Sequence, residues 1–146
     1  MLKPIVVVSC AAFLVGCATT GTFTPKSLIN EPVEKLALVQ AASENDHKVL
    51  QGLNKELYIK YINGKSTYTL SNGYAQSAYV AAGKNKLDLE FIQGFLSVSS
   101  LACLQFDAVA GEKYTVNQDV SVLKNYARFW IVKDSSQETV SENCDK

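Results

Sequence analysis

The segment Lys86-Leu87-Asp88-Leu89-Glu90-Phe91 alternates between charged and apolar side chains at every step. Successive side chains of a β-strand point to opposite faces of the sheet, so Leu87, Leu89 and Phe91 would share one face. A strand with one apolar and one charged face is typical of an antiparallel sheet that covers a core on one side and meets water on the other. This segment predicts an all-β fold.

A hairpin is predicted before this strand. Residues 57–62 are rich in β-forming side chains and lead into Asn63-Gly64, whose residues tolerate the positive φ angles of a two-residue hairpin turn. We expect the return strand over residues 67–70. Ala82-Gly83-Lys84-Asn85 would then form the turn into the alternating segment.

Further short runs of β-forming residues lie on both sides of this region. Residues 101–109 alternate, residues 126–132 are dense in β-formers, and residues 138–141 could be a last strand. Residues 36–39 favour a strand over a helical turn, whereas residues 117–125 could be a loop or a short helix. Seven or eight short strands at near-regular spacing predict a single antiparallel β-sandwich or a small barrel.

The start of the chain has the layout of a secretory signal. Lys3 gives a positive start, residues 5–15 are apolar, and Leu14-Val15-Gly16-Cys17 ends the run with small residues before a cysteine. With a cysteine at the cleavage point, the segment resembles the lipobox of bacterial lipoproteins. The resemblance implies that residues 1–16 are a cleaved lipoprotein signal peptide and that Cys17 is lipidated.

The lipobox predicts how the rest of the chain is divided. Residues 17–32 would be the lipidated N-terminus and a flexible tether, since their Thr, Gly, Pro, Ser and Asn residues bury little apolar surface. Fifteen such residues reach on the order of 20 Å. Residues 33–146 would form one β-sandwich domain.

The lipid would provide the membrane attachment and set the location. Each buried methylene contributes about 0.8 kcal/mol, so two or three chains on Cys17 would hold the protein firmly. Ala18 stands where aspartate would, by resemblance to enterobacterial sorting, retain the protein in the inner membrane. We therefore expect the outer membrane, facing the periplasm or the cell surface, if the organism has two membranes.

Two cysteines remain for disulfide pairing once Cys10 leaves with the signal and Cys17 is lipidated. In an oxidising compartment Cys103 and Cys144 are expected to form a disulfide. Two free thiols are the alternative, because a buried Cys103 can also serve as a small apolar residue.

Charge argues against polyanionic partners. The chain has 14 basic and 14 acidic side chains, and loss of Lys3 with the signal would leave a net charge of −1. No cluster of Lys or Arg forms the basic stripe on which nucleic-acid binding depends. We expect no nucleic-acid partner.

Catalytic and metal-binding patterns are sparse. His47 is the single histidine and lies in a polar run. The sequence has no Gly-x-Ser-x-Gly motif whose serine could use His47 as a base. Asp88 and Glu90 could approach as an acid–base pair, but alternation places them on a solvated face. One histidine and no Cys-x-x-Cys predict no metal site, no cofactor and no enzyme.

Turn motifs suggest a family. The runs Ile62-Asn63-Gly64-Lys65, Ala82-Gly83-Lys84, Gly111-Glu112-Lys113-Tyr114 and Trp130-Ile131-Val132-Lys133-Asp134 resemble those of small, mostly uncharacterised bacterial lipoproteins with a PEGA-like or transthyretin-like β-sandwich. The resemblance covers residues 57–140 and implies a non-catalytic envelope protein.

The expected function is binding or structural support in the cell envelope. If Tyr58, Lys60 and Ile62 face outward, they form a patch suited to a protein or glycan partner, since tyrosine combines an apolar ring with a polar tip. Packing of the aromatic side chains in the core or in a second layer is the favoured interpretation, and the outward patch is the alternative to it. A protective inhibitor of a lysozyme or toxin is the alternative function, and a small hydrolase using His47 is a more remote one.

Overall fold

The computed structural model describes residues 21–42, 55–93, 98–121 and 123–145. Within these ranges the chain forms two short 3₁₀ helices, Lys26–Leu28 and Val33–Lys35, and no α-helix. No described helix is long and apolar enough to cross a membrane. The described strands are β1 (Thr22–Phe23), β2 (Leu36–Ala41), β3 (Lys55–Ile62), β4 (Lys65–Ser66), β5 (Ser77–Ala81), β6 (Gly83–Gln93), β7 (Val98–Ala108), β8 (Lys113–Ser121), β9 (Tyr126–Lys133), β10 (Glu138–Thr139) and β11 (Ser141–Asn143).

The strands form two sheets that pack as a sandwich, which confirms the predicted fold class. The first sheet has the order β1-β5-β2-β8-β9-β10, and the second has the order β11-β7-β6-β3-β4. The pairs β1–β5 and β2–β8 are parallel, so the first sheet is mixed rather than purely antiparallel. Strands β6 and β7 are each 11 residues long, longer than the short strands that we expected.

The core lies between the two sheets. The alternating segment of β6 buries Leu87, Leu89 and Phe91, as predicted, while Lys86 stays exposed. Phe129 and Ile131 share the inner face of β9, also as predicted. The other large apolar members of the core are Val39, Leu57, Ile59, Ile62, Val80, Leu104, Phe106, Tyr114 and Val116.

A β-bulge in β3 changes which side chains face outward. Ile59 lies opposite Leu89, and Tyr61 lies opposite Asp88, so Lys60 is an extra residue between them. A bulge of this kind reverses the alternation beyond it. Ile62 is therefore buried, with 4% of its surface exposed, and Tyr61 faces outward with 37% exposed. The predicted outward position of Ile62 is wrong.

The segment after the hairpin pairs with the bulge instead of forming the predicted return strand. Asn63 (φ 50°) and Gly64 (φ 78°) make the expected turn, but the paired return, β4, ends at Ser66. Thr67 then donates its backbone N–H to the Lys60 carbonyl at 2.9 Å, and the Ile59 N–H donates to the Ala75 carbonyl at 2.8 Å. These bonds give backbone groups of β3 partners on its β4 side, beyond the end of β4.

The chain changes sheets at a sharp corner between β5 and β6. One residue, Ala82, separates the two strands, and Gly83 has a φ of 101°. The buried Asn85 donates its side-chain N–H groups to the carbonyls of Ala81 at 2.8 Å and Gly83 at 2.9 Å. A strand thus begins at Gly83, where the sequence predicted a turn through Asn85.

The C-terminal segment also crosses between the sheets. Glu138–Thr139 pairs with β9, whereas Ser141–Asn143 pairs with β7, so the single last strand that we expected is divided at Val140. The predicted disulfide is present: Cys103 and Cys144 are bridged with a Cα–Cα distance of 5.4 Å. The bridge holds the end of β11 against β7.

The first sheet begins before the domain boundary that was predicted at Val33. Thr22 and Phe23 pair with Ser77 and Ala78 of β5, and Phe23 packs against the core. The fold therefore includes residues that the composition had assigned to the tether.

Candidate binding surface

The candidate surface is the outer face of the second sheet, where β3, β6 and β7 lie side by side. Tyr58 lies opposite Glu90, which lies opposite Leu101 on the next strand. One row along, Asp88 lies between Tyr61 and Cys103. Alternation aims these side chains away from the core because their neighbours in the chain fill it.

Tyr58 is held as a protonated hydrogen-bond donor at one end of this face. Its hydroxyl donates to the carboxylate of Glu56. Partial burial first, and then the hydrogen bond and the charges of Glu56 and Glu90, raise the pKa of Tyr58 to about 12. The phenol therefore stays neutral throughout the physiological pH range.

Lys60 joins the sheet to the segment folded over it. Its Nζ lies 3.3 Å from the Glu90 carboxylate and 4.9 Å from the centroid of the Tyr74 ring. The hydrogen bond that Lys60 donates to the Glu90 carboxylate is the main cause that raises the pKa of Lys60. Tyr74 in turn meets Tyr68 edge to face, with ring centroids 5.2 Å apart. Lys60 is therefore held in place by its contacts with Glu90 and Tyr74.

A shallow hollow of about 420 Å³ lies next to Lys60 on this face. Leu101 is its main apolar element and is 73% exposed. Tyr61 contributes an aromatic ring, and Asp88 contributes a carboxylate. An apolar centre bordered by polar groups is the usual arrangement of a protein-binding or small-ligand surface.

Two of the three residues that were predicted to form the partner surface lie on this face. Tyr58 and Lys60 lie on this surface, Ile62 does not, and Tyr61 takes the outward position in its place. The alternation of residues 101–109 already set Leu101 apart from the core-facing residues, and this is the signal that could have identified it. Cys17 and His47 lie outside the described residues.

No group of three or more His, Cys, Asp or Glu side chains in the described ranges could hold a metal ion. The Glu90 carboxylate of the considered acid–base pair is engaged by Lys60 at 3.3 Å. The arrangement can hydrogen-bond, stack and exclude water from an apolar centre.

Comparison with known proteins yields no relative. No protein-family model matches the chain, and neither the curated proteins nor the solved structures give a significant match. The resemblance to PEGA-like and transthyretin-like lipoproteins stays a prediction.

Proposed function

We propose that the protein is a lipid-anchored, non-enzymatic module of the cell envelope that binds a partner protein or glycan. The observation that carries the binding role is the hollow on the outer face of the second sheet. Leu101 and Tyr61 lie exposed there among charged groups, although neither is needed to close the core. The lipobox at Leu14-Val15-Gly16-Cys17 supports the anchor.

The chemistry of the hollow favours a partner with both apolar and hydrogen-bonding groups. Tyrosine is enriched at interfaces because its ring buries a large apolar area while its hydroxyl can still bond. The Lys60–Glu90 ion pair at 3.3 Å fixes the charge of Lys60, which lines the hollow. Such pre-ordered groups reduce the entropy lost on binding.

The strand β1 shortens the tether that the sequence predicted. Thr22 is fixed against β5, so five residue steps separate it from Cys17. Five extended residues span at most about 18 Å. A lipid on Cys17 would therefore hold the domain close to the bilayer surface.

Acylation of Cys17 is tested by metabolic labelling with a fatty-acid analogue, followed by membrane fractionation. We expect label on the wild type and none on Cys17→Ser, and release of Cys17→Ser from membranes by a salt wash. Equal fatty-acid labelling of the wild type and of Cys17→Ser, or no labelling of either, would contradict the anchor.

The binding surface is tested by crosslinking in intact cells with variants of the hollow. We expect Leu101→Asp to abolish crosslinks to specific partners while the amount of folded protein is unchanged. Leu123→Asp is the matched control, because Leu123 is fully exposed on the β8–β9 turn, away from the hollow. Equal capture by wild type and Leu101→Asp would exclude the hollow as the partner site.

A further inference from the structure

Leu70 stands at the tip of a tight turn and is 97% exposed. The turn is closed by two hydrogen bonds, from the Thr69 N–H to the Gly73 carbonyl at 2.9 Å and from the Gly73 N–H to the Thr69 carbonyl at 2.8 Å. Gly73 supplies the positive φ of 68° that the turn needs. Turns favour Gly, Asn and Ser, so the fold does not require a leucine at this tip.

The side chains around this turn have the composition of a membrane interface. Tyr68 is exposed and, together with Lys26 and Lys65, borders a groove of about 470 Å³. Ile29 is also exposed and lies with Thr69 along an adjoining groove of about 640 Å³. Apolar tips, tyrosines and lysines together suit the boundary between lipid headgroups and acyl chains.

The start of the fold lies beside the same turn. Thr22 and Phe23 line the 640 Å³ groove together with Gly73. Cys17 lies five residue steps before Thr22, within about 18 Å along the chain. A lipid on Cys17 would bring this edge of the sandwich to the bilayer.

We propose that the Thr69–Gly73 turn inserts Leu70 into the headgroup region of the bilayer as a second, non-covalent membrane contact. This orients the domain with its β1 and β4 edge toward the lipid. The opposite edge, formed by β9, β10 and β11, then faces away from the membrane. The orientation rests on the proposed lipid anchor, whereas the affinity of the turn for lipid is a property of the unlipidated domain.

The insertion is tested by depth-dependent fluorescence quenching of the acylated protein reconstituted into vesicles of phosphatidylethanolamine and phosphatidylglycerol. Trp130 is the single tryptophan, so Trp130→Phe provides a dark background. In this background we expect the emission of Leu70→Trp to shift to the blue and to be quenched by lipids brominated near the headgroup. Leu123→Trp, fully exposed on the β8–β9 turn, should show neither effect. Equal quenching of both probes, or of neither, would overturn the proposal.

A second measurement separates the turn from the anchor. The processed chain, residues 17–146 carrying Cys17→Ser, is partitioned onto the same vesicles by sedimentation. Since burying a leucine is worth roughly tenfold or more in a partition coefficient, Leu70→Ser should weaken vesicle binding by about tenfold. Leu123→Ser should leave it unchanged. No difference between these two variants would overturn the membrane contact even if wild-type Cys17 is acylated in cells. A Leu70 effect here, together with no fatty-acid label on wild-type Cys17 in cells, would overturn the anchor alone.

Discussion

Lys60 occupies the position in β3 that has no partner of its own on β6. This extra residue keeps both Ile59 and Ile62 on the inner face, although they are three apart in sequence. It also frees Tyr61 to line the hollow beside Leu101. One inserted residue thus determines both the end of the core and the composition of the candidate surface.

Substitution of Ile62 and of Tyr61 should show, as a difference in stability, that Ile62 faces the core while Tyr61 faces outward. Ile62→Ala should lower the free energy of unfolding by about 2–5 kcal/mol, because it leaves a cavity in the core. Tyr61→Ala should cost less than about 1 kcal/mol, since its side chain lies at the surface. Urea denaturation of both variants measures the difference. The reverse ranking would mean that β3 keeps a regular alternation without a bulge.

Tyr58 should titrate later than an ordinary tyrosine. The folded-state pKa of Tyr58, about 12, lies above the ordinary tyrosine value of 10.0, mainly because of burial. The folded state therefore holds this proton more tightly, so its contribution to stability is complete below pH 10 and is lost as the pH rises toward 12. Ultraviolet titration should show a tyrosinate step near pH 12 that Tyr58→Phe removes. Loss of that step from a variant at another tyrosine would contradict the assignment.

At the scale of elements, the change of sheet between β5 and β6 depends on Gly83. Its φ of 101° is one that side-chain-bearing residues rarely adopt, and an added Cβ would meet no atom within 4 Å. Gly83→Ala should therefore cost about 1–3 kcal/mol through backbone strain alone. Gly64→Asn is the control, since asparagine tolerates the positive φ of the hairpin turn and should cost less. Chemical denaturation that finds both substitutions neutral would contradict a strained corner.

The strands show which parts of the fold can be predicted from the sequence. The alternation of Leu87, Leu89 and Phe91 is local, so β6 and its buried face were predictable. The bulge at Lys60 was not, because it is stabilised by Thr67 and Ala75, which return to β3 from beyond the hairpin. Tyr61 was missed as a surface residue for the same reason.

The far half of β8 is difficult to predict from the sequence because one polar residue in it faces inward. Gln118 lies opposite Phe129, on the side of β8 that faces the core. Its side-chain amide is buried, and no described residue hydrogen-bonds to it. A polar residue at an inward position breaks the apolar alternation on which strand prediction depends. The sequence therefore predicts a loop or a short helix over residues 117–125, although pairing with β9 makes Asn117–Ser121 part of a strand.

For the whole molecule, the two lateral edges of the sandwich differ in construction. At one edge, β1 and the Thr69–Gly73 turn lie beside open grooves. At the other edge, the C-terminal segment passes from β9 to β7 and is held by the Cys103–Cys144 bridge. The hollow lies between these edges and includes Cys103 in its lining. The disulfide therefore supports both the closed edge and one wall of the candidate surface.

Removal of this bridge should weaken the closed edge and lower the stability of the domain. The two cysteines are 41 residues apart, and on the chain-entropy model a loop of that length contributes about 4 kcal/mol. We expect Cys103→Ala/Cys144→Ala to lose roughly that much in chemical denaturation. Hydrogen exchange should also speed up at Ser141–Asn143, because β11 pairs with β7 through those three residues. The long β6–β7 pairing should keep the protection of its central amides. A double variant with unchanged stability and unchanged exchange in β11 would show that strand pairing alone closes this edge.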